Sequence, residues 1–173
     1  MNRDLSLWQL SGFALTTLVG TLLHFLYDWT GQVWSALISG VNESTWEHMK
    51  LLYVPLFLFA LVQSFFFSGY ENFWCVKLVG TVGGLVCIPV LFYTYNGAIG
   101  PSPDWLNISI FFLSAAAAFF LEWLLFRAHR PLRCLSRLSL GILIGIGMLF
   151  IIFTFYPPHI PLFQDPINGS FGI

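Results

Sequence analysis

Three short stretches of this chain carry residue types that hold metals or move protons. HFLYDW at 24–29 contains His24 and Asp28. VNESTWEHMK at 41–50 contains Asn42, Glu43, Ser44, Glu47 and His48, and PPHIPLFQDPINGSFGI at 157–173 contains His159 and Asp165. Imidazole is the commonest protein ligand for zinc, and a catalytic zinc takes three protein donors and a water. His24, His48 and His159 would supply three donors, with Asp28 or Asp165 as a substitute ligand or as the group that orients one. Glu43 or Glu47 would then be the general base toward water on zinc or another divalent metal. No HExxH motif occurs, so the donors would come from three separate segments. The same residues, with Asn42, Ser44 and Asp165 completing a polar site, also suit a vestibule that binds a cation, an amine or a proton.

A structural account competes with both. Ser44-x-x-Glu47 is a capping box: the serine accepts an orphan amide of the first helical turn and the glutamate reaches back. Asp165-Pro166 and Asn168-Gly169 are turn formers, and the polar turn at 41–48 would dock the tail. Capping does not explain why His24, His48 and His159 fall at one side of the chain's topology.

That topology is a membrane one. Only 9% of residues are charged, against roughly 25% in soluble domains, and mean hydropathy is +0.79. The expected fold is all-α, one membrane domain of about five spans at 7–27, 51–67, 76–95, 105–126 and 138–155, with a tail at 156–173. The N-terminal apolar run has no small-residue cleavage pattern and reads as a retained first span. Trp34, Leu37, Ile38 and Val41 fall at i, i+3, i+4 and i+7, which predicts an interfacial helix after the first span. Trp29, Trp34, Trp46 and Trp105 are expected to be interface anchors. Gly80/Gly84, Gly141/Gly145 and the small face Ser114, Ala115, Ala118 predict close helix packing. The three cysteines, Cys75, Cys87 and Cys134, show no pairing signal and read as packed or lipid-facing thiols.

Four of the seven basic residues, Arg127, Arg130, Arg133 and Arg137, sit between spans four and five. Positive charge marks the cytoplasmic side, so this loop, with His129, is expected inside together with Arg3 and Lys77. The segment 28–50, the loop 96–104 and the tail are then outside, and the N-terminus is cytoplasmic. Glu122 is expected to find an interior hydrogen bond or a contact with Arg127 or His129. The net charge of -1 gives no sign of a nucleic-acid partner; the expected partner is membrane lipid.

HFLYDW at 24–29, VNESTWEHMKL at 41–51 and the ending DPINGSFGI together resemble an uncharacterised family of small bacterial integral membrane proteins. The resemblance covers most of the chain and implies a bacterial inner-membrane location, with no established activity. A looser likeness is to the membrane hydrolases that include alkaline ceramidases and adiponectin-receptor-like proteins. That likeness implies zinc held by intramembrane histidines and an aspartate, but this chain has five expected spans rather than seven and no late HxxxH. The expected activities are a metal-dependent hydrolase of a lipid or other membrane-embedded substrate, or binding or transport of a cation or small ligand.

Overall fold

A computed structural model describes residues 2–67, 69–70, 72–128 and 134–173. All regular structure among them is helical: α1 Asn2–Thr30, α2 Val33–Ala36, α3 Thr45–Phe66, α4 Phe73–Ala98, α5 Asp104–Arg127, α6 Ser136–Phe155 and a 3-10 turn at Pro161–Phe163. Five of these helices hold spans of 20 to 27 residues, long and apolar enough to cross a membrane. At 1.5 Å per residue even the shortest matches a hydrocarbon layer of about 30 Å. The ends of α1, α4 and α6 and the starts of α3 and α5 share one end of the bundle, which carries His24 and His48.

The tightest helix pair is α4 with α5. Gly80 and Gly84 lie against Glu122, Ala118 and the carbonyls of Ala118 and Ser114, leaving no room for a Cβ. The small-residue pattern expected from the sequence is therefore a seam between these two helices. Gly141 and Gly145 behave differently: nothing lies near either, so that pattern faces outward. α1 packs on α3 and α5, and α6 on α3 and α4.

Several expectations need correction. The interfacial helix shrinks to Val33–Ala36 and a following turn, because α1 runs on to Thr30. Its apolar residues Trp34, Leu37 and Ile38 do point outward while Ser35, Ala36 and Ser39 are buried. Trp46 is not an interface anchor. Its ring packs among Phe150, Phe153 and Phe163, at 4.5, 5.6 and 4.8 Å between centroids, pinning the tail to α6. Cys75 and Cys134 form a disulfide, with Cα atoms 6.3 Å apart. A separation of 59 residues hid that pair from any spacing rule.

Lys77 is not a loop charge. It is fully buried in the second turn of α4 and makes an ion pair with Glu122 at 2.6 Å. Glu122 thus finds the interior hydrogen bond expected of it, from Lys77, while the Arg127 guanidinium lies over Trp123; His129, Arg130 and Arg133 are outside the described residues. The Lys77 ammonium is also surrounded by the rings of Phe59, Phe73 and Phe119, 5.5 to 5.8 Å from their centroids. Charges in such surroundings persist because each removes the cost of burying the other. Lys77→Met should therefore strand the Glu122 carboxylate and cost about 3–5 kcal/mol. The double variant with Glu122→Met should recover most of that loss in thermal unfolding in detergent. Equal losses in the single and double variants would show that the pair is not the source.

Candidate metal centre

The site begins with a helix start. Ser44, in extended conformation, caps α3 and its hydroxyl accepts the Glu47 amide at 3.4 Å. Only half of the expected capping box forms. The Ser44 amide donates to Asn42 Oδ1 at 2.9 Å, and Glu47 turns inward instead. Its side chain, 2% exposed, pairs with Lys50 at 2.6 Å, accepts the Thr154 hydroxyl at 2.8 Å and accepts the Val41 amide at 3.3 Å. Both carboxylate oxygens are thus occupied, which does not support the general-base role considered for Glu47.

With the cap fixed, Glu43 projects just before the helix and His48 one turn into it. The Nδ1 of His48 lies 3.0 Å from the Ser44 carbonyl. A carbonyl only accepts, so this nitrogen carries the proton and donates. The neutral ring then presents a bare Nε2 lone pair on its other side. His24 arrives from the end of α1. There the Ser39 hydroxyl donates to the Leu23 carbonyl at 2.5 Å and accepts the Tyr27 amide at 3.0 Å. These bonds clamp the loop 37–43 onto the turn of α1 that carries His24.

The outcome is one carboxylate between two imidazoles. Glu43 Oε1 is 3.4 Å from His24 Nε2, and Oε2 is 3.5 Å from His48 Nε2. Donor atoms of the three residues all lie within 4.8 Å of one another. Those distances are long for hydrogen bonds. They run to different carboxylate oxygens; with one donor atom from each residue the group lies within 4.8 Å, so it would have to draw in to reach the about 3.3–3.6 Å that separates donors on a tetrahedral zinc. All three side chains are 25 to 39% exposed, so an ion can reach them, in contrast to Glu47.

With this geometry in view, sequence comparison places the chain among relatives. It belongs to DUF6512, a family of unknown function, whose family model matches residues 1–173. Neither curated proteins nor solved structures yield a match.

The remaining expected site residues fall elsewhere. His159 is exposed and packs against Phe171, 4.7 Å between ring centroids. Asp28 is exposed one turn beyond His24, outside the three-residue group. Asp165 is buried and works as a fastener: its carboxylate accepts amides of Ile167 at 2.7 Å and Glu43 at 3.4 Å, and the Asn168 side chain at 3.0 Å. Asn42 donates to the Gly172 carbonyl at 3.0 Å. Gly172 has φ of +64° and sits against the Thr154 carbonyl and Pro157, a position closed to a Cβ on both counts. The tail is therefore fastened to the turn that carries Glu43.

A cavity of about 260 Å³ opens beside this group, with Glu43, His48 and the tail residues Pro166 and Ile167 in its wall. The sequence reading missed its far wall, where Ser102 bonds Asn96 at 2.9 Å and Asn107 at 2.7 Å. It also missed Thr154, although Glu47 and Lys50 at i and i+3 were a readable pair. Asp165→Ala should free the tail and loosen Glu43. We expect faster limited proteolysis within 156–173 and a loss of about tenfold or more in metal affinity, the usual effect of removing an outer-shell partner. An unchanged proteolysis rate would show that these bonds do not hold the tail.

Proposed function

We propose that this is a multi-pass membrane protein, a single domain, that binds one divalent transition ion, zinc foremost, through His24, Glu43 and His48. The observation that supports the reading is the carboxylate between two imidazole nitrogens, at 3.4 and 3.5 Å from one oxygen each, in a group whose donor atoms lie within 4.8 Å. Two histidines and a glutamate form a donor set known from catalytic zinc, where a fourth position stays open. Here the open side is the cavity beside His48. An ion so held polarises a carbonyl or phosphoryl oxygen and activates water, so the activity that fits is hydrolysis of a lipid or other membrane-embedded substrate. Glu43 then serves as ligand rather than base. His159, Asp28 and Asp165 lie outside the donor set in this reading, and the looser likeness to membrane hydrolases contributes only its donor chemistry. The competing reading, a structural turn that docks the tail, draws on the Asn42 and Asp165 bonds.

Metal analysis by mass spectrometry on protein purified without chelators is the test. We expect near-stoichiometric metal, lost in His24→Ala and His48→Ala, and weaker binding at about pH 5 than at about pH 7.5, because protons compete for imidazole. Glu43→Gln should also lose the ion if Glu43 is a ligand; retention of metal with loss of hydrolysis would return it to the role of base. No metal in the parent, with all variants folded, sinks the metalloenzyme.

The side of the membrane also belongs to this proposal. Arg127, Arg130, Arg133 and Arg137 support a cytoplasmic location for their end of the bundle, with the metal group outside; a bacterial inner membrane is what the resemblance of the three sequence segments implies. Disulfides are rare in reducing compartments, so Cys75–Cys134 bears on the assignment. On the cytoplasmic side the pair would stay largely thiol during growth and close to the disulfide only on oxidation; alkylation after acid quenching and denaturation, needed because Cys75 is buried, should then find both cysteines reduced. If they are oxidised throughout growth, the bundle is inverted.

A further inference from the structure

We infer that the cavity beside His48 binds an organic cation, a protonated amine or quaternary ammonium on a short apolar body, with Asp104 as its counter-charge. This deepens the reading above by naming a ligand class, and it rests on that reading only for what is done to the molecule once bound.

The lining decides the sign of the ligand. Glu43 and Asp104 are its carboxylates, and among the described residues neither lysine nor arginine contributes to it. Without an ion at the triad an anionic headgroup would meet two negative charges, and with one bound there Asp104 would still be the unpaired charge on the far side of the cavity. Asp104 stands at the first turn of α5, where a carboxylate also favours the helix dipole. It is exposed, and among the described residues no hydrogen bond or ion pair engages it. By contrast, the amide and hydroxyl groups of the far wall are largely spent on one another: Asn96 Oδ1 accepts the Ser102 amide and Asn107 Oδ1 accepts the Ser102 hydroxyl. The uncommitted polar chemistry of the cavity is therefore acidic.

The apolar lining decides the body. Ile88, Phe92, Ile110 and Phe111 face the same space. Two aromatic rings suit an ammonium group, which they attract through their π-faces, as well as the alkyl carbon next to it. A volume of about 260 Å³ lies just below the range of small-molecule pockets, about 300–1,000 Å³, so the body is short or its chain leaves through the mouth.

The test uses the whole protein in a non-ionic detergent, with butyltrimethylammonium, butylammonium, butyrate and butanol as probes. Binding is read by calorimetry with and without added zinc. Both cations should bind saturably, and butyrate and butanol should not. Asp104→Asn should weaken cation binding by about tenfold, the value of one charge-assisted contact, while Asp104→Glu should keep most of it. Unliganded thermal midpoints verify that both variants fold. Butyrate or butanol binding as well as the cations, no saturable binding at all, or an unchanged affinity in Asp104→Asn would each overturn the proposal. Cation binding in a protein that never takes up metal would leave this inference standing and remove the metal reading. Stoichiometric metal without cation binding would do the reverse.

Discussion

The ammonium group of Lys50 has no path to water and must satisfy three N–H donors inside the protein. It does so with the Glu47 carboxylate at 2.6 Å, the Thr154 hydroxyl at 2.7 Å and the Ala36 carbonyl at 2.9 Å. Three donors meet three acceptors, so the charge is both paired and fully hydrogen-bonded, the condition under which a buried ion pair is tolerable. Those acceptors come from α3, α6 and the short helix α2. One buried charge thereby ties together the elements that frame the polar end of the bundle.

The His24–Glu43–His48 group depends on that knot without being part of it. Because Glu47 faces inward to Lys50, it is withdrawn from the capping box, and Asn42 takes over the Ser44 amide. Asn42 can then reach the tail through Gly172, while the Glu43 amide meets Asp165. The backbone around Glu43 is held from both sides and its side chain is left half-exposed between two imidazoles. Rigid support behind an open donor set is what a binding centre needs: ordered ligands and an accessible face. At the opposite end, Lys77 and Glu122 show the other arrangement, a pair sealed off by phenylalanines. The two acidic residues Glu43 and Glu122 differ in chemical prospects because of access, not residue type.

Much of the helical layout could be read from apolar runs of about 20 residues, since a helix is the structure in which one segment satisfies its own backbone in lipid. Boundaries were less legible. Asn2, Arg3, Asp4 and Ser6 at one end and Asp28 and Thr30 at the other are polar yet helical, so α1 is longer than its apolar stretch. Lys77 looked like a loop charge because hydropathy counts a lysine as polar whether or not a glutamate waits on the next helix. Within the site, His24, Glu43 and His48 stood out as ionisable residues in apolar company. Glu47 and Glu43 could not be told apart from the sequence, since their difference lies in Lys50 and Thr154, the latter 107 residues away from Glu47. His159 misled for a related reason. A proline-rich segment has no periodicity, so nothing local says that its turn brings in Asp165 while its histidine packs on Phe171.

An ion at the triad and an ammonium group in the cavity would compete if both relied on Glu43. A divalent ion held by one carboxylate and two neutral imidazoles leaves a net charge of about +1, which repels a second cation. With Glu43 so engaged, Asp104 is the remaining carboxylate in the lining. The ammonium must then lie toward α5, with apolar carbon between it and the ion. In that arrangement the charged end of the ligand is the end remote from the chemistry, and its reactive bond lies toward His48. Charge repulsion would then orient a molecule that Asp104 selects, and a ligand with no apolar segment between its cation and its reactive group would be excluded.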